Sequence, residues 1–172
     1  MLSTKVIKEK IKDPYYHISF LAFLTALGVI LNLTELFIPR PLPWIKFGFA
    51  NIISLFLIIV AEIKDVFCVL FLRIILSSIF AGKLFGPGFI LSISGGTLST
   101  FVMIIVYKSL NKIFSLIGIS ILGAITHNLG QLLAAYFLFL KEKNIFYILP
   151  LLLIPAFITG FINGLILQKI IK

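Results

Sequence analysis

Residues 113–140 read IFSLIGISILGAITHNLGQLLAAYFLFL, an apolar run without a single Asp, Glu, Lys or Arg. A helix that crosses a bilayer needs about 20 such residues. The strands of a membrane barrel instead alternate apolar and polar side chains over about ten residues. This run does not alternate. It is read as a membrane helix whose backbone satisfies its own hydrogen bonds.

The same pattern repeats on both sides of it. Polar turns at Lys108, Asn111 and Lys112 and at Lys141, Glu142, Lys143 and Asn144 bound the run. Further apolar runs are expected to form helices at about 16–38, 47–61, 66–80, 89–107 and 145–166. The first ends at Pro39-Arg40-Pro41-Leu42-Pro43, which cannot continue a helix. Glu62, Lys64 and Asp65 mark the next turn, and Gly82, Gly86, Pro87 and Gly88 mark a loop over residues 81–88. The expected fold is an all-α integral membrane protein, a six-transmembrane-helix bundle. It occupies residues 15–172 as one domain, behind a basic amphipathic segment over residues 1–14.

Bulk composition points the same way. Hydrophobic residues make up 60% of the 172 and charged ones 12%, and the mean hydropathy is +1.18. A soluble chain of this length has too much surface for its volume to hide so much apolar side chain. That excludes a soluble enzyme, a disordered chain and a nucleic-acid module. The net charge of +9 sits mostly between the apolar runs, where it sets topology and meets anionic lipid. Under six spans, nine cations fall on the side of the termini and five on the other: Arg40, Lys46, Lys83, Lys141 and Lys143. Both termini are therefore expected in the cytoplasm, with the protein in the cell membrane. Cys68 stands alone in an apolar run and is read as packing.

Polar side chains within such runs carry the information about function, because each is costly in hydrocarbon. Arg73 lies near the centre of its run, with Ser77 one turn on along the same face. It is read as facing a wet cavity, a partner carboxylate or an anionic ligand. Glu35, the acid within a span, lies near the outer end of the first helix and is either the candidate to pair with it or solvated at the interface. His127, Asn128 and Gln131 fall within five positions, and His127 and Gln131 share a face. They suit either a cavity wall or interhelical hydrogen bonding. Trp44, Lys46 and Asn51 flank the first outer loop, Trp44 as an interfacial anchor and Lys46 as a cation that snorkels or attracts an anion. Small residues recur at Ala22/Ala26, Gly95/Ser99, Gly96/Thr100 and Gly160/Gly164. Each pair marks a close helix contact or a surface for another membrane subunit.

The sequence holds no GxxxxGK[ST] loop for ATP, no acid cluster for magnesium and a diphosphate, and no HxxxH spacing for a metal. Intrinsic catalysis, a metal and a cofactor are not expected.

Lys46-Phe-Gly-Phe-Ala-Asn51, Arg73 in an apolar helix, Ser94-Gly-Gly96 and the stretch from Ser115 to His127-Asn-Leu-Gly-Gln131 resemble the Gx transporter family. That family is also labelled heptaprenyl diphosphate synthase component I. The resemblance spans about residues 18–168. It is similar to the substrate-binding S components of energy-coupling factor (ECF) transporters. This implies a six-helix protein with an outward-facing pocket gated by the first loop, here residues 39–47. It implies uptake of a small molecule, vitamin-like or isoprenoid-related, with a transmembrane T subunit and two cytoplasmic ATPase subunits. The pocket residues would be Arg73, His127, Asn128, Gln131, Lys46, Asn51 and Glu35, and Ala22 and Ala26 match the spacing that docks the T subunit. Two other readings stay open: a non-transporting membrane subunit of a quinone, flavin or isoprenoid system, and an inactive synthase subunit.

Overall fold

The computed structural model of the chain describes residues 4–38, 46, 48–110 and 112–171, less the Lys143 side chain. The Pro-rich stretch 39–43, Trp44 and most of the expected gating loop lie outside the described residues.

Seven α-helices make up the described chain: α1 (Thr4–Lys10), α2 (Pro14–Thr34), α3 (Asn51–Val60), α4 (Ile63–Phe80), α5 (Pro87–Ser109), α6 (Leu116–Ala135) and α7 (Leu149–Ile171). No strand occurs among the described residues. Four stretches are long and apolar enough to cross a membrane: Pro14–Phe37, Pro87–Ser109, Leu116–Leu140 and Asn144–Ile171. The chain is thus a helical membrane bundle, with two of the six expected spans of a different kind. The run expected over 47–61 yields only the ten residues of α3, about 15 Å at 1.5 Å per residue. Half of a bilayer's hydrocarbon thickness is all it can cross. Helix α4 has eighteen residues but carries Lys64, Asp65 and Arg73.

Local chemistry sets the ends of these helices. Asp13 caps α2, accepting from the backbone N–H groups of Tyr15 (2.8 Å) and Tyr16, with Pro14 at the first position. Glu62 and Asp65 form a reciprocal capping box at the start of α4. Ser115 caps α6 by accepting from the Gly118 N–H. Helix α6 stops at Ala135, short of the expected end at 140. A wide π-type turn, Tyr136–Leu140, then leads to Lys141 in the left-handed region. The last helix begins later than expected, after a 3₁₀ turn at Lys143–Ile148.

Helices α5, α6 and α7 pack as a tight slab. A Cβ on Gly160 or Gly164 would lie 2.6 Å from the Cα of Ile121 or Ile117, and one on Gly130 would lie 2.9 Å from the Gly95 Cα. These small residues serve contacts within the bundle. Opposite the slab, α2 packs on α4, where Gly28 makes room for the stem of Arg73. Helix α3 sits between the two groups, and Ile7 of α1 packs beneath it with Leu55 and Ile59.

The outer girth is apolar. Phe23, Ile30, Leu72, Ile79, Phe101, Ile105, Phe157, Ile158 and Phe161 are all exposed. Water-soluble monomers rarely show contiguous apolar surface of this extent, whereas a lipid-facing surface requires it. Cys68 is exposed on α4 and does not serve the core packing expected of it.

Candidate functional site

Most of the polar residues singled out in the membrane runs converge on Lys46 and residues 48–50, the irregular stretch that leads into α3. The carbonyls of Gly48, Phe49 and Ala50 accept the N–H groups of Asn51, Ile52 and Ile53 in the first turn of α3. The other N–H and C=O groups and the spare carbonyl lone pairs find further partners, since an unpaired group inside costs about 1–3 kcal/mol.

Side chains from the surrounding helices supply those partners. Gln131 of α6 forms a two-point pair with Lys46: its Oε1 accepts the Lys46 N–H and its Nε2 donates to the Lys46 carbonyl, both at 2.9 Å. Glu35, at the end of α2, accepts the Phe49 N–H at 2.5 Å. Arg73 of α4 donates through Nη1 to the Ala50 carbonyl and through Nη2 to Ser54 Oγ (3.1 Å). Asn163 of α7 donates to the carbonyls of Phe49 (3.2 Å) and Gly48 (3.4 Å). Gly48 has φ +86°, a region that disfavours any side chain. A Cβ there would also lie 2.8 Å from Asn51 Nδ2 and 3.4 Å from the His127 ring.

Arg73 and Glu35 therefore meet through a shared stretch of backbone. Glu35 is fully buried and Arg73 is 3% exposed, and each charge acts on the other. The sequence pairs Arg73 with Ser77 by spacing. In the fold, Ser77 instead accepts from Asn32 of α2 (3.4 Å).

Arg73, Glu35, Lys46, Asn51 and His127 line one small cavity of about 10 Å³. That is the size of a single water. Asn51 Nδ2 and both His127 ring nitrogens are buried there without a hydrogen-bond partner among the described residues. Asn128 lies apart, tying α6 to α7 through the Leu152 carbonyl at 2.9 Å. Ala22 and Ala26 sit on the exposed face of α2, away from this cluster.

A larger cavity of about 230 Å³ adjoins the first and shares Asn32 and Lys46 with it. It lies at the end of the bundle that carries the 81–86 loop. Sequence reading missed Asn163, Ser54 and Asn32. The signal was present in Asn163, a polar residue inside an apolar run just as Asn128 is.

Removing the Gln131 pair should free the start of the segment. Gln131→Leu is expected to cost about 1–3 kcal/mol. In a Cys68→Ser background it should also speed labelling of a Lys46→Cys thiol by a membrane-impermeant maleimide. Unchanged labelling and unchanged melting would show that the pair does not hold the segment.

These features define a class: a polytopic helical membrane protein in which buried polar side chains secure a broken element. The sequence profile described as heptaprenyl diphosphate synthase component I matches residues 24–170. The chain belongs to that family. No curated protein and no solved structure matches it.

Proposed function

We propose that this protein is the membrane-embedded substrate-binding subunit of an uptake system of the ECF kind, with no catalytic activity of its own. The family it belongs to is the one whose resemblance to S components carries this expectation. In this reading residues 15–172 form one six-pass domain in the cell membrane. Helix α3 and segment 46–50 together make the second pass, and both termini with residues 1–14 are cytoplasmic. Ala22 and Ala26, exposed on α2, dock the T subunit, which works with two ATPase subunits.

One observation supports the reading above the rest. Gln131 fixes the backbone of Lys46, and Lys46 lines a cavity beside the 81–86 loop. A helix bundle has no packing need to bury an irregular segment next to a cavity. Irregular backbone inside a membrane protein is tolerated where it is enclosed by protein or lines such a space. Arg73, Glu35 and Gln131 then serve binding by holding this wall in place, and His127 and Asn51 extend it inward.

Gentle solubilisation from the native membrane, followed by native mass spectrometry, tests the proposal. Copurified ATPase and T subunits are the expected result. Redox partners, or quinone-pathway enzymes in their place, would move the assignment to a non-transporting membrane subunit.

A further inference from the structure

We infer that the larger cavity, between α2, α4 and the start of α5, binds a compact uncharged ligand through an amide or hydroxyl group. Its volume is about 230 Å³. Asn32 of α2 and Ser77 and Ser78 of α4 line it together with Leu36, Ala81 and Phe89. Asn32, Ser77 and Ser78 are 7%, 3% and 5% exposed. A few buried hydrogen-bonding groups thus meet apolar walls in one recess, the composition of a small-molecule site.

The hydrogen bonding of these three residues is incomplete. A serine or threonine hydroxyl inside a membrane helix commonly returns to a carbonyl one turn back. Thr25, Ser92, Ser94 and Thr126 do so, and Ser77 donates to the Ile74 carbonyl at 3.1 Å. The Ser78 hydroxyl makes no such return and has no hydrogen-bond partner among the described residues, while its backbone carbonyl accepts the Lys83 N–H at 2.9 Å. Asn32 donates to Ser77 Oγ at 3.4 Å, past the usual limit of about 3.2 Å. Its Oδ1 accepts from none of the described residues. Unpaired polar groups at membrane depth are costly, and a ligand that completes these bonds removes the cost. Packing does not account for Ser78, since an alanine would make the same helix with no hydroxyl to desolvate.

None of the three side chains is ionisable. Asn32 offers a donor and an acceptor, and each serine can act as either, so they match a neutral group that both donates and accepts. Lys46 is held at its backbone by Gln131 and also lines the smaller cavity, among charges of both signs. Lys83 is exposed. The volume falls below the roughly 300–1,000 Å³ of drug-sized pockets, so the ligand's body is small. Phe89, met edge-on by Phe85 at 5.5 Å, gives that body an aromatic wall. The occupant is a free solute or the head of a neutral lipid. This inference names the ligand class for the binding-subunit reading and rests on that reading for its role in uptake, but binding itself is measured separately.

The test uses the full chain in phosphatidylcholine nanodiscs, with benzamide as the probe, read by saturation-transfer NMR against empty nanodiscs. Benzamide is expected to bind, and its charged isosteres benzoate and benzamidine to bind at least tenfold more weakly. Ser78→Ala should weaken benzamide binding about fivefold and melt at or above the wild-type temperature, because the hydroxyl it removes has no partner in the fold. Ala81→Leu, which fills the cavity, should abolish binding. Displacement of the probe by added monoolein would identify a lipid head as the occupant, and its retention would identify a free solute. The site is overturned by no signal above empty nanodiscs, by either ion binding as well as benzamide, or by undiminished binding in both variants. A lowered melting temperature in Ser78→Ala would make the hydroxyl structural and overturn it too. Benzamide binding by protein that copurifies no ATPase or T subunit would instead sink the transport reading and leave the site standing.

Discussion

Arg73→Met should cost about 3–5 kcal/mol of stability, the range for removing one charge from a buried, hydrogen-bonded group of charges. Glu35 would remain fully buried with the opposing charge gone. The Ala50 carbonyl would keep only the Ile53 N–H, and the Ser54 hydroxyl would lose the Arg73 donor. Thermal unfolding in a mild detergent reads this directly. Adding Glu35→Gln to Arg73→Met should recover part of the loss, because a neutral amide is cheaper to bury than a carboxylate. A variant that melts like the wild type but no longer takes up substrate would place Arg73 on the ligand and not on the backbone.

Gly164→Val is expected to be as damaging for a different reason. The added Cβ would sit 2.6 Å from the Cα of Ile117 and 3.2 Å from two further Cβ atoms. Backbone cannot rotate aside as a side chain can. Overpacking usually costs about 1–3 kcal/mol, and a backbone clash belongs at or above the top of that range. Gly88→Ala supplies the contrast. Open space surrounds that position, so its melting temperature should stay close to the wild-type value. Similar losses in both variants would mean that helix propensity, and not the α6–α7 contact, governs the Gly164 result.

Hydropathy and turn residues were enough to find the long helices, because a lipid-facing helix must be apolar along its whole length. The α2, α5, α6 and α7 runs were legible for that reason. The run over 47–61 was misleading. Lys46 and residues 48–50 adopt an irregular path at the start of that run. Gly48, at φ +86°, is the local sign of it, and the rest of the cause lies in four side chains on other elements. The converging polar residues were also legible as residues worth noticing. Periodicity says which face of a helix a side chain shares, but not what it bonds to across the bundle. Gln131 and Arg73 read equally well as ligand contacts or as partners for backbone, and the fold places both on backbone.

The fastening of Lys46 and residues 48–50 also has an order along the chain. Glu35 precedes the segment, but Arg73, Gln131 and Asn163 all follow it. On a ribosome, α2 and α4 emerge long before α6 and α7. Until α6 is made Lys46 has no Gln131, and until α7 is made the Gly48 and Phe49 carbonyls have no Asn163 beside the Asn51 and Ile52 N–H groups. The residues that lead into α3 therefore gain their last side-chain partner only when the final helix has been made.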